Sequence, residues 1–285
     1  MDALPHDFIE STIFQISELL CTKEVSSLAS SSWNDSNVPV NGKDNLWWLE
    51  ICLVPDSKTW KYRFTPCRTA KEFNVFSKIA QISFITFQTR HNLNWNKPLT
   101  QDQMASRLIP FALARLAYYP RLTLDPMDYS ILNFQGRFFT KIMIEYGGLE
   151  TMKFLKFYIF SGFLKVLHLW GLWPESFKDL ALEFVKSNSF NQLTFIEGES
   201  LKNNTDVSFI ICLIDRLVEG TLREETYVQL ALHNAEEDQE MIRYYKGTPR
   251  NDRSLSAGVF NWRVHGMELE VSVEESVATC QASKV

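Results

Sequence analysis

A six-residue pattern, apolar-x-x-apolar-x-apolar, returns through the middle of this chain and restricts what it can fold into. It reads YPRLTL from Tyr119, FTKIMI from Phe139, LKVLHL from Leu164 and FNQLTF from Phe190, at intervals of 20, 25 and 26 residues. Weaker copies, IAQISF and YVQLAL, begin at Ile79 and Tyr227. In each strong copy the last two apolar residues stand two apart: Leu122/Leu124, Ile142/Ile144, Leu167/Leu169 and Leu193/Phe195. Period two is the mark of a half-buried strand.

Between these strands the period changes to that of a helix. SFKDLALEFVK places Phe177, Leu180, Ala181, Phe184 and Val185 on one stripe, and DVSFIICLIDRLV does the same with Val207, Ile210, Ile211, Ile214, Leu217 and Val218. Ser176 with Asp179 three residues on has the spacing of an acidic capping box. Gly147, Gly171 and Gly198 each follow a strand, as turn residues do. Parallel strands need a crossover of a dozen or more residues, and these gaps supply it. The expected fold is α/β: an irregular, leucine-rich-repeat-like strand–helix solenoid, with at least three parallel strands and their helices on one side. The spacing is uneven and the Asn or Cys of a standard leucine-rich repeat is missing. An ordinary α/β or α+β domain without a regular repeat is therefore the competing reading.

The flanks differ. NLWWLEICLV (45–54) and WKYRFTP (60–66), joined by PDSK, predict an antiparallel hairpin. VFNWRVHGMELEVSV predicts a second, terminal hairpin, with His265-Gly266 at its turn. It would also close the open edge of a solenoid. EEDQE (236–240) reads as a solvated loop and the residues after Glu275 as a loose tail. The chain thus divides into a helical unit over residues 1–40, an α/β domain over 41–275 and a tail over 276–285.

The opening unit is the most informative part for function. Leu4-Pro5 is followed by Phe8, Ile13 and Ile16, then by Val25 and Leu28, and finally by Trp33 after SSS. Two helices this short are marginal alone and need a partner surface. The pattern resembles an F-box, although LLCTKEV stands where that family has a second proline and Ser32 where it has a basic residue before the Trp. With WKYRF, the strand–helix units and a closing WRxxGxxLEV (Trp262, Arg263, Gly266, Leu269, Glu270, Val271), the whole is similar to the nematode F-box-like proteins. That resemblance implies a substrate-recognition subunit of an SCF-type ubiquitin ligase, in the cytoplasm or nucleus. Leu4, Pro5, Phe8, Ile13, Ile16, Val25, Leu28 and Trp33 would bind a Skp-type adaptor and, through it, a cullin ligase. The repeat would hold a protein target. The alternative is a non-catalytic solenoid scaffold with no ligase link, in which the opening helices only pack on their own domain.

On a concave strand face the residues between the inward pairs point outward: Thr123, Met143, His168 and Thr194. Tyr146, Trp170 and Trp173 lie just past strand ends and are candidate aromatic anchors. These seven form the predicted target-binding set. No catalytic constellation accompanies them. His6, His91, His168, His233 and His265 have no His or Cys partner at metal-ligand spacing, and no phosphate-binding glycine loop or nucleophile elbow occurs. The expectation is a binding protein with no enzymatic activity, metal or cofactor. A net charge of −5 disfavours an electrostatic grip on nucleic acid. Cys21, Cys52, Cys67, Cys212 and Cys280 are odd in number and never paired as CxxC, which suits reduced thiols in an intracellular protein. Asp2, His6, Asp7 and Glu10 stand where a secretory leader would have its basic and apolar regions. The longest greasy run, Phe154 to Trp173, approaches a membrane span but carries Lys156, Lys165 and His168.

Overall fold

A computed structural model describes residues 46–55, 57, 59–66, 81–89, 98–126, 134, 138–196, 207–231, 259–274 and 277–285. The chain is mixed α/β and divides into two compact units, residues 1–123 with 131–137, and residues 124–130 with 138–285. The proposed adaptor-binding residues Leu4, Pro5, Phe8, Ile13, Ile16, Val25, Leu28 and Trp33 lie outside the described residues, as do Cys21, Cys67 and the run 236–240.

In the first unit the predicted hairpin forms. β1 (Leu46–Val54) pairs antiparallel with β2 (Thr59–Pro66), from Trp47 opposite Pro66 to Val54 opposite Thr59. β3 (Gln81–Thr89) joins β1 in parallel, and β4 (Leu116–Leu124, all but its last residue in this unit) follows in the order β2-β1-β3-β4. One face carries Leu49, Ile51, Ile85 and Phe87, all buried. On the other, Arg63 donates two hydrogen bonds to the Glu50 carboxylate directly opposite, at 2.9 and 2.7 Å. A helical segment precedes β4: α1 (Gln101–Gln103), a π-helical turn (Met104–Leu108) and α2 (Ile109–Leu113). Thr100 and Gln103 close a capping box at its start. Pro110 has no N–H and its ring needs room beside the carbonyl one turn back; the wider π turn just before it provides that room.

The second unit contains a strand–helix series. β5 (Lys141–Glu145), α3 (Leu149–Phe160), β6 (Val166–Trp170), α4 (Phe177–Lys186), β7 (Gln192–Ile196), α5 (Ser208–Val218) and β8 (Tyr227–Ala231) alternate. All four strands are parallel and lie in chain order. Successive right-handed crossovers stepping the same way put every helix on one face, and α3 touches α4 as α4 touches α5. The inward pairs Ile142/Ile144, Leu167/Leu169, Leu193/Phe195 and Val228/Leu230 are buried beneath them. The first apolar residue of each copy is explained too. Phe139 and Phe190 are fully buried, Phe139 against Tyr158 of α3 and Phe190 edge-on to Phe184 of α4. The copy at Tyr119 falls in β4, and the described part of the copy at Ile79, from Gln81 on, falls in β3.

The terminal hairpin forms as β9 (Val259–Val264) and β10 (Met267–Glu274), with His265 and Gly266 both at positive φ in the turn. The tail does not run loose. Val277–Lys284 is β11, antiparallel to both β10 and β8, so the sheet order is β5-β6-β7-β8-β11-β10-β9. Its buried residues are Ala278, Cys280 and Ala282. They alternate with period two, but small side chains give so weak a strand signal that VATCQASK passes for a tail. The Ser176 capping box is also absent: Ser176 is helical and makes no cap hydrogen bond. A buried arginine holds two loops together. Arg216 of α5 donates to the carbonyls of Val185, Ser187 and Thr221, tying the end of α4 to the turn after α5. Burial pulls its guanidinium below its ordinary value, and the hydrogen bonds to carbonyls at the negative end of α4 offset that cost.

Candidate functional site

The predicted target-binding residues do not form an open face. Within the second unit Met143, His168, Thr194, Gln229 and Thr279 stand in one cross-strand row, on the side of the sheet away from the helices. Met143 is half-buried, but His168 and Thr194 are only 8% and 7% exposed. Thr123, on β4 of the first unit, is buried as well. Runs such as KVLHLWG and NQLTFI resemble strands covered on both faces, and buried strands do not alternate cleanly between exposed and covered positions.

Of the three predicted anchors, Trp173 is a packing residue. It is 3% exposed, lies 5.2 Å from the Tyr146 ring and 4.4 Å from Phe177, and its indole N–H donates to the Trp170 carbonyl at 2.7 Å. Gly171, at φ +75°, turns the chain so that Trp173 comes under the start of α4; a Cβ there would sit 3.1 Å from Glu145. Tyr146 and Trp170 are half-buried against this cluster. His168 is the one chemically unusual member. Among the described residues neither ring nitrogen has a hydrogen-bond partner, and burial, aided by the charge of Lys141, pushes the imidazole down to about 4. At neutral pH it is an uncharged side chain.

The exposed aromatic surface lies elsewhere. Phe157 and Phe160 on α3, and Phe163 just after it, are 54%, 61% and 53% exposed. Phe138, half-buried, stacks nearly parallel on both Phe163 (4.5 Å, 13° between ring planes) and Phe157 (5.9 Å, 15°). Three rings therefore stand as one stack with Phe160 beside it. The backbone fixes this arrangement. Tyr158 and Ile159, one residue round the helix, are buried against the sheet side. Ser161 ends α3 by donating to the Tyr158 carbonyl and accepting from Phe163 N–H, which brings Phe163 back over Phe138. Lysines border the rings. Lys153 pairs with Glu150 at 2.6 Å, whereas Lys156, exposed on the same helix face as Phe160, has no partner among the described residues.

Monomeric proteins rarely expose contiguous apolar patches without a partner for them. The rings are rigid, so little side-chain freedom remains to be lost on binding, and aromatic anchors dominate interface energies. The signal was present in LETMKFLKFYIFSGFLK, which is apolar on two sides of a helix rather than one. Among the described residues no three His, Cys, Asp or Glu side chains gather as metal ligands do, and no helix is long and apolar enough to cross a membrane. Cys52 and Cys280 are buried and Cys212 is half-buried; burial raises the Cys280 thiol to about 12 and raises Cys212 as well, so both stay protonated. Compared with known proteins, the chain matches no family model, no curated protein and no solved structure.

Proposed function

We propose that this chain is a non-catalytic receptor that holds a protein target, working as the substrate-recognition subunit of an SCF-type ubiquitin ligase in the cytoplasm or nucleus. The observation that carries the target-binding half is the Phe157–Phe138–Phe163 stack with Phe160 beside it, largely exposed and bordered by Lys156, which has no partner among the described residues. A target segment with apolar side chains and a nearby carboxylate suits that surface. The ligase half rests on the Leu4-Pro5 opening and its F-box-like spacing, and the βαβ series is read as the leucine-rich-repeat-like part of such a receptor. The test is co-expression with a Skp-type adaptor followed by gel filtration. A stable complex that Leu4→Ala with Pro5→Ala disrupts, at unchanged melting temperature, supports the ligase reading. No complex with wild type, together with strong destabilisation by the same pair, overturns it. The scaffold without a ligase link then stands.

A further inference from the structure

A second surface, in the first unit, has the character of a small-molecule site. β2 is the outer strand there, and among the described residues a bridge between Trp60 and Leu99 (N···O 2.9 and 2.7 Å) ties its beginning. Beyond that bridge Tyr62 and Phe64 lie opposite Ile51 and Leu49, on the apolar face of the sheet. A groove of ≈ 300 Å³ runs between them and the helical segment, with Leu99 and Leu108 among its walls. That is the lower end of the range for ligand pockets, which are mostly apolar with a few placed polar groups.

The walls are set in place. Phe64 meets Tyr62 edge-on at 5.8 Å and Phe111 at 6.1 Å, and the Arg115 guanidinium lies 4.1 Å over the Phe111 ring. Near-perpendicular rings offer both faces and edges to a further flat body. The polar groups are Gln103 and Arg107, on consecutive turns, together with the Tyr62 hydroxyl. The Gln103 side-chain oxygen accepts from Thr100 N–H, which leaves its NH₂ to donate outward. Arg107, in the π-helical turn, has no carboxylate, carbonyl or ring partner among the described residues. π turns inside α-helices recur at functional sites. Among the described residues the donors lining this groove are thus one cation, one amide and the Tyr62 hydroxyl, with no carboxylate to hold a cation.

We propose that this groove binds a small amphipathic carboxylate, its flat apolar body among Tyr62, Phe64 and Phe111 and its anionic end on Arg107. Charge complementarity selects the anion, and the apolar walls around a single charged group select a monoanion with a large apolar part. The guanidinium fork matches a carboxylate in two parallel hydrogen bonds.

The experiment is calorimetric titration of the full chain with 2-naphthoate and with its neutral counterpart 2-naphthamide, on wild type, Arg107→Gln and Tyr62→Ala. Wild type is expected to bind naphthoate saturably at one site, about tenfold or more tighter than the amide. Arg107→Gln, an exposed change that leaves the fold intact, should bring naphthoate down to the level of the amide. Tyr62→Ala should weaken both ligands, with thermal denaturation run alongside to confirm that it is folded. The proposal is overturned if wild type shows no saturable naphthoate binding, if acid and amide bind alike, or if Arg107→Gln binds naphthoate as wild type does.

Discussion

α3 and α4 perform the same task in the fold and are built differently. Each returns the chain from one parallel strand to the next, and each buries residues against the same sheet face. α4 does so with one apolar stripe: Phe177, Ala181, Phe184 and Val185 are buried, Leu180 and Leu182 are half-buried, and the charged Lys178, Asp179, Glu183 and Lys186 occupy the rest. α3 buries Thr151, Leu155, Tyr158 and Ile159 in the equivalent way, and then presents Leu149, Phe157 and Phe160 to solvent as well. A crossover helix needs one apolar side, as α4 demonstrates. The second apolar side of α3 is not demanded by the fold, and it is stacked into order with Phe138 and Phe163. Apolar surface that the fold does not use is available to a partner.

Substitutions on the two helices should separate these roles. The largest effect is expected inside α4. Phe184→Ala removes a fully buried ring that packs on Phe190, and should cost about 3–5 kcal/mol in chemical denaturation. Arg216→Met comes next. It leaves the carbonyls of Val185, Ser187 and Thr221 without their donor beside a well-filled apolar site, at a cost of about 2–4 kcal/mol. A loss no larger than that of an ordinary surface change would remove Arg216 from the list of groups holding α4 to α5.

The strand face gives a pH effect of intermediate size. His168 ordinarily titrates at 6.5 and is pushed down to about 4 in the fold. Above pH 6.5 the imidazole is neutral in both folded and unfolded chains, and its contribution is fully present. As pH falls the unfolded chain takes up the proton first, so stability declines between 6.5 and about 4, by up to roughly 3 kcal/mol. His168→Asn should flatten this part of the pH–stability curve. An unchanged curve would show that another group dominates there.

The smallest effect on stability belongs to α3. Phe160→Ala should shift unfolding free energy by less than about 0.5 kcal/mol, as surface changes do, because the ring is mostly in water already. A loss near that of Phe184→Ala would erase the contrast between the helices.

What the sequence made legible follows from which signals are local. Ile142/Ile144, Leu167/Leu169 and Leu193/Phe195 alternate strongly, and with helical stripes between them they admit little besides parallel strands with helices on one side. The hairpin of β1 and β2 and the His265-Gly266 turn carry their own turn chemistry in sequence. β11 was hidden because Ala278, Cys280 and Ala282 are small, and their strand character comes from the slot between β8 and β10 rather than from their own hydrophobicity. The expected binding face misled for a related reason. Alternation says which way His168 and Thr194 point, but whether the second side of a sheet is covered depends on segments far away in the chain. Arg216 and the ring stack depend on residues such as Val185 and Phe138 that meet only in three dimensions, and no spacing rule brings these together.

The most direct measurement places a photoreactive benzoyl-phenylalanine at one of two positions, Phe160 on α3 or Glu183 on the exposed side of α4, and compares the adducts formed in living cells. The account predicts a discrete protein adduct from position 160 that is lost when Lys156→Glu is added, and none from position 183. The same adducts from both positions, or an adduct at 160 indifferent to Lys156→Glu, would contradict the claim that the outer side of α3 is the target-binding surface.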